Sequence, residues 1–257
     1  MKKPFDLTGK VYIVTGSGKG IGKGIVRCFV KSGAKCCINC NSNAAMAEET
    51  LKEIQAIGGE DCAFVYQADV SDPEQAKAMV KATYERFGRI DGLVNNAALQ
   101  KQWMLGEYPL KDYDLLMHVN LGGYINMMQA VLPYLKETKG SVINFASGAG
   151  LFGNFGQCAY AAAKEGIRGL TRVAATEWGP DGINVNVVCP LAWTAQLEKF
   201  EQAYPDAFKA NVKMPPMGHY GDVEKEIGRV CVQLASPDFK YMSGETLTLE
   251  GAMGQRP

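Results

Sequence analysis

Short apolar, β-branched runs alternate with longer amphipathic stretches along the chain. Residues 11–15 (VYIVT) open the series as a buried strand. A glycine-rich turn follows, then a helical period to about Ser32, closed by Gly33. Further strands are expected over residues 34–39, 62–67, 91–95, 141–146, 183–189 and 245–249. Between them the spacing predicts helices over 44–57, 73–87, a long stretch ending near Glu137, 158–179 and 223–234. Asp72-Pro73 reads as a cap followed by proline in the first turn, and Pro190 stops the sixth strand. Residues 191–221 show no period and read as an irregular, aromatic-rich lid. Strands alternating with helices of about ten residues or more predict an α/β fold, a doubly wound parallel sheet of about seven strands with helices on both faces. No repeat, linker or composition shift interrupts the pattern, so residues 1–257 read as a single domain.

Composition narrows the function classes. Lys+Arg and Asp+Glu are both 27, so no basic excess points to nucleic acid or an anionic membrane surface. MKKPFDLTGK has no apolar run behind its lysines, no segment approaches the ~18 apolar residues of a membrane span, and GAMGQRP carries no lipidation or retrieval signal. A cytoplasmic protein is expected. The eight cysteines are scattered through apolar runs, which fits free thiols in a reducing compartment. Cys37 and Cys40 form a CxxC, but in a strand they point to opposite faces. With His118 and His219 solitary, no metal site is expected.

Two constellations carry chemistry. TGSGKGIG, residues 15–22, lies between the first strand and the first helix. Glycines there allow a tight turn and close approach of a pyrophosphate to the helix N-terminus. Neither a strict GxGxxG nor a P-loop fits; TGxxxGxG does, and it makes the sheet Rossmann-like. Further on, Ser147 ends an apolar run, and Tyr160 and Lys164 stand at i, i+4 on a predicted helix. An ammonium within about 4–6 Å lowers a phenol's pKa by about 1–3 units, toward working pH, where an acid/base group is most useful.

These pieces, with Asp69-Val70, Asn95-Asn96-Ala97, Asn120 and Tyr160-Ala161-Ala162-Ala163-Lys164, resemble the short-chain dehydrogenase/reductase family over essentially the whole chain. The resemblance implies that Tyr160 exchanges a proton with the substrate oxygen and that Lys164 lowers its pKa and holds the nicotinamide ribose. It implies that Ser147 hydrogen-bonds the reacting oxygen and that Asn120 helps hold a proton-relaying water. Gly16, Ser17, Lys19, Gly20, Ile21 and Gly22 would hold the pyrophosphate side, Asp69 and Val70 the adenine, and Asn96 and Ala97 the ribose. Pro190, Leu191 and Thr194 would face the nicotinamide. Two positions depart from the family pattern: Ala98 where glycine is usual, and Leu191 where glycine follows the proline.

No carboxylate ends the second strand, which reads Asn39-Cys40-Asn41-Ser42. An acid there would favour NAD; its absence, with Lys19 in the loop and Asn41 and Ser42 beside it, points to NADP, with NAD the alternative. The substrate is expected against Leu99, Gly148, Gln157, Trp193 and Leu197, in a pocket apolar enough for a large ligand. Residues 141–178, 183–192 and 241–257 are similar to a branch of the family, the bacterial hydroxysteroid dehydrogenases that act on the 12α-hydroxyl of bile acids. That resemblance implies a steroid substrate; relatives pair their long helices into dimers and tetramers, and a homotetramer is expected. The alternatives are reduction of another carbonyl, such as a 3-oxoacyl thioester, and a non-catalytic dinucleotide-binding protein, which would be expected to lack Tyr160 or Lys164.

Overall fold

A computed structural model describes residues 5–254. The N-terminal lysines, Lys2 and Lys3, and the last residues of the GAMGQRP end, Gln255 to Pro257, lie outside the described residues. The strands are β1 (Val11–Val14), β2 (Lys35–Cys40), β3 (Ala63–Gln67), β4 (Gly92–Asn95), β5 (Ser141–Phe145), β6 (Asn184–Pro190) and β7 (Thr246–Leu249). They form one sheet in the order β3-β2-β1-β4-β5-β6-β7, and every pair is parallel. The strand order reverses between β1 and β4, so a crevice opens beyond their C-terminal ends.

The helices are α1 (Gly20–Lys31), α2 (Ala44–Gly58), α3 (Pro73–Phe87), α4 (Leu110–Met117), α5 (Gly123–Thr138), α6 (Ala149–Phe152), α7 (Cys158–Trp178), α8 (Ala195–Ala203), α9 (Pro205–Asn211) and α10 (Arg229–Ala235). They cover both faces, because strands buried on two sides send alternate residues into two cores. Tyr12 and Val14 join Ile25, Phe29 and Ile54 on one face, while Ile13 joins Met79, Met127 and Val131 on the other. The CxxC obeys the same alternation: Cys40 lies in the first cluster and Cys37 in the second. Asp72 caps α3 ahead of Pro73, and Gly88 ends it in the left-handed conformation at φ 75°.

Three departures from the expected elements have local causes. The segment after Pro190 is not irregular: Thr194 caps α8 by accepting from Leu197 N–H, and Pro205 opens α9. The long helix before β5 is broken by a π-turn over His118–Gly122, and the helix before β7 begins with another over Val223–Gly228. A single inserted residue shifts the hydrophobic period too little for the pattern to reveal it. The Gly148–Gly156 connection contains the one-turn α6, too short for periodicity to register.

Candidate active site

The glycine loop is shaped by what surrounds it. Asn39, at the end of β2, accepts from Gly16 N–H through Oδ1 at 3.0 Å, and its amide group donates to the Tyr66 and Ala68 carbonyls. Gly16 has φ +61°, and a Cβ there would meet Ala97 Cα at 2.8 Å. A Cβ on Gly22 would meet Asn96 Nδ2 and Ser17 Cα at 2.7 Å. Thr15 ties this loop to the end of β4: its Oγ1 accepts from Asn96 N–H and Ala97 N–H, both at 3.0 Å. Asn96 answers by donating to the Thr15 and Gly16 carbonyls at 2.9 and 3.1 Å. Helix α1 then starts with no side-chain cap and no acid in its first turn. Its leading N–H groups are therefore available to an anion, as a pyrophosphate requires. Lys19, Asn41 and Ser42 are exposed around this cradle.

Ser17 serves the loop itself. It is wholly buried, its hydroxyl donates to the Val14 carbonyl at 2.6 Å, and its N–H donates to Asn39. Gly20, at φ +56°, borders open space, and Ile21 packs against the first core. Asp69 and Val70 follow β3: the Asp69 carboxylate accepts from the Ser71 N–H and hydroxyl, and Val70 is buried against Gly123.

Tyr160 lies in the first turn of α7, one helical turn before Lys164, and the Ser147 side chain acts on its phenol. Burial pushes the phenol above its ordinary pKa, the opposite of the expected lowering, although Ser147 pulls it down. Lys164, one turn on, is 2% exposed, with Nζ 5.6 Å from the Tyr160 ring centroid. Its Nζ donates to the Phe145 carbonyl at 2.7 Å and to the Tyr124 hydroxyl at 3.3 Å. Tyr124 in turn donates to the same carbonyl at 3.0 Å. No carboxylate is among these partners, so burial lowers the Lys164 pKa to about 7. At neutral pH the pair is a protonated phenol beside a lysine that burial has made easier to deprotonate, an arrangement suited to giving and taking one proton.

Asn120 sits in the π-turn and is fully buried. Its side chain forms a two-point pair with the Leu99 backbone, accepting from N–H at 2.7 Å and donating to C=O at 2.8 Å. Its amide therefore fixes the start of the segment after β4. Two residues complete this geometry: Thr15, which opens the glycine motif but was given no role of its own, and Tyr124, which the sequence reading passed over. Tyr124 had a legible signal, standing four positions after Asn120 on one predicted helix face.

The remaining candidates border the same crevice. Pro190 ends β6, and Leu191 donates to the Leu249 carbonyl at 2.9 Å. Thr194 spends its Oγ1 on capping α8 through Leu197 N–H at 3.3 Å. The Trp193 ring meets Phe208 and Tyr220 edge-on, each at 6.1 Å between centroids. Gly148 is buried between Glu250 and Phe152, and Gln157 is partly exposed just before α7. Ala98, in place of the usual glycine, is exposed, so its methyl meets no crowding. A separate cleft of about 580 Å³, between Cys28, Val223 and Arg229, lies at the far end of α1 from the glycine loop. Among the described residues, no cluster of His, Cys, Asp and Glu is arranged to hold a metal, and no helix is long and apolar enough to cross a membrane.

Comparison with known proteins agrees with this geometry. A family model described as short chain dehydrogenase matches residues 10–204. The chain is 54% identical over 254 residues to a 12alpha-hydroxysteroid dehydrogenase of a Clostridium species, covering 97% of this chain and 98% of that protein. It is 33% identical over 249 residues to a 3-oxoacyl-(acyl-carrier-protein) reductase of Thermotoga maritima, covering 96% and 98%. Among solved structures, levodione reductase superposes with a TM-score of 0.88 at 32% identity, over 95% of this chain and 97% of that one. An active-site complex of Pseudomonas aeruginosa RhlG with NADP superposes at 0.89, with 29% identity over 98% of both chains.

Proposed function

The chain belongs to the short-chain dehydrogenase family, and on that footing we propose that it reversibly oxidises the 12α-hydroxyl of cholate-type bile acids to a ketone with NADP. The observation that carries the chemistry is Tyr160 in the first turn of α7 with the buried Lys164 one turn on, its Nζ 5.6 Å from the phenol ring centroid, and Ser147 acting on that phenol. The regiochemistry is supported by the 54% identity to the Clostridium enzyme, against 33% for the thioester reductase. The cradle of Gly16, Gly22 and the uncapped start of α1 fits a dinucleotide pyrophosphate. Lys19, Asn41 and Ser42 are exposed where a 2′-phosphate would need a cation and hydroxyl donors, and no acid stands there to repel it. The likeness to an NADP complex supports the same choice.

The cofactor supplies hydride exchange with the carbinol carbon. This chain's residues do the rest. Ser147 and Tyr160 grip the substrate oxygen, and Tyr160 gives its proton in reduction and takes it in oxidation. Lys164 holds or yields a proton one turn below. Thr15 and Asn96 keep the β1 and β4 ends in register, so that donor and acceptor meet at a fixed distance. Residues 191–221 close over the substrate as a lid within a single domain. Exposed Leu110, Leu115 and Val173 on α4 and α7 support a homotetramer, which light scattering checks. Eight free thiols fit a cytoplasmic setting.

The test follows reduced nicotinamide with NADP or NAD and a panel of cholate, deoxycholate, chenodeoxycholate and short alcohols. Cholate and deoxycholate should react; chenodeoxycholate, which lacks the 12-hydroxyl, should not, and its turnover would sink the regiochemistry. Tyr160→Phe should abolish turnover while cofactor still binds.

A further inference from the structure

The segment leaving β4 crosses in front of α7 and is fastened at both ends. Asn120 holds it at Leu99. At the other end Trp103 N–H donates to the Gly156 carbonyl at 3.1 Å, and Trp103 forms a parallel bridge with Gln157, the residue just before α7. The Trp103 side chain is fixed as well. Its indole Nε1 donates to Asp112 Oδ2 at 3.1 Å, and Asp112 Oδ1 accepts from Lys101 Nζ at 2.6 Å. Asp112 is buried, at 7% exposure, and the Lys101 ammonium beside it holds its carboxyl below the usual carboxylate range. The carboxylate is thus ionised and its charge balanced. Tyr108 braces the turn, donating to the Lys101 carbonyl at 3.4 Å and packing against the same small cluster as Tyr160.

All this polar structure holds an aromatic ring that is not buried. Trp103 is 43% exposed, and Phe155, next to its Gly156 partner, is 83% exposed. An apolar ring left in water is unfavourable, and the half-buried Lys101–Asp112 pair commits two charged side chains to orienting one. The arrangement makes sense if the ring receives an apolar partner. A side chain already locked in place loses little freedom when that partner arrives. Its position is also defined: the bridge to Gln157 sets Trp103 about one helical turn from Tyr160.

We propose that Trp103 is the platform on which the apolar face of the substrate lies, and that Asp112 is the positioning residue that aims it. Lys101 neutralises Asp112, so the platform presents no net charge to an apolar ligand. The proposal rests on the steroid reading above and deepens it, because a flat, rigid, apolar skeleton is the ligand shape a fixed indole face suits.

The test measures initial rates with NADP and cholate for the wild type, Trp103→Leu, Asp112→Ala and the double variant. Each single change should raise KM for cholate about tenfold, with most of the effect in KM rather than kcat, as when one well-packed aromatic contact is truncated. The double variant should be no worse than Trp103→Leu alone, because both changes remove the same contact. Asp112→Asn, which keeps an acceptor for the indole, should recover most of the loss. Should Trp103→Leu fold poorly, Trp103→Phe keeps the ring: the cholate-induced change in tryptophan fluorescence should be smaller in that variant than in the wild type, with Trp193 supplying what remains. An unchanged KM in Trp103→Leu overturns the platform. Additive effects in the double variant overturn the positioning role of Asp112. A changed oligomeric mass with unchanged KM assigns this face to a second copy of the chain instead. No turnover of cholate by the wild type defeats the substrate reading on which the proposal stands.

Discussion

Replacing Lys164 by methionine should abolish turnover and at the same time flatten the protein's stability against pH. The side chain is 2% exposed, and its Nζ is served by one carbonyl and one hydroxyl, with no counter-charge among these partners. Burial lowers its pKa to about 7, whereas a lysine in the unfolded chain titrates near ~10.4. Between those values the unfolded chain binds a proton that the folded protein does not, so stability rises with pH across the window. At about 1.4 kcal/mol per unit, roughly three and a half units amount to about 5 kcal/mol of penalty, fully present below pH 7. About 2 kcal/mol of that should be recovered between pH 7 and pH 9. Buried thiols such as Cys231 and Cys37 are raised instead and act in the opposite sense, but they are common to wild type and variant and cancel in the difference. The assay is urea unfolding of both proteins, without cofactor, at the two pH values. Wild type should gain about 2 kcal/mol over Lys164→Met on going from pH 7 to 9. Parallel pH dependence would refute the reasoning, because Lys164 would then keep its charge when folded.

Thr15→Val removes the acceptor shared by Asn96 N–H and Ala97 N–H, and should cost about 2–3 kcal/mol in denaturant unfolding and weaken cofactor binding in titration. Gly22→Ala sets a methyl 2.7 Å from Ser17 Cα and 2.8 Å from the Gly16 carbonyl, and should destabilise by about 1–3 kcal/mol and open the loop that holds the cofactor. Because burial raises Tyr160, the phenol stays protonated at neutral pH, so steady-state oxidation of the alcohol should accelerate as pH rises while ketone reduction slows. His219 faces the Met217 carbonyl through Nδ1 and the Glu226 carboxylate through Nε2, and Glu226 raises its pKa. Its contribution to holding residues 217–219 against Glu226 is present below ~6.5 and lost as pH rises through the raised value. Limited proteolysis between α9 and Gly221 should therefore speed up from pH 6 to 8 in wild type and stay level in His219→Gln.

What the sequence made legible is what repeats or what is chemically scarce. Alternating strands and helices fixed the two-faced sheet because residues such as Tyr12 and Ile13 must enter separate cores. The glycine loop and the Ser147, Tyr160 and Lys164 set were legible because few other arrangements need those residues at that spacing. The direction of the Tyr160 shift was not legible. It depends on how far α7 and β5 exclude water from the pair, and an i, i+4 spacing says nothing about desolvation. Thr194 and Asn120 show a related limit: besides the roles expected of them, each side chain holds backbone, one as the cap of α8 and the other on Leu99. A polar side chain near a site can bind the ligand or build the wall, and sequence does not separate the two. Trp103 and Asp112 went unread for the converse reason. They are nine positions apart in a stretch without period, and only the fold shows the indole of one bonded to the carboxylate of the other. The chemistry of the centre is thus written in residue identity, whereas the shape offered to the substrate is written in hydrogen bonds between loops. For that reason changes at Trp103 should move this chain's KM for steroid more than its chemistry.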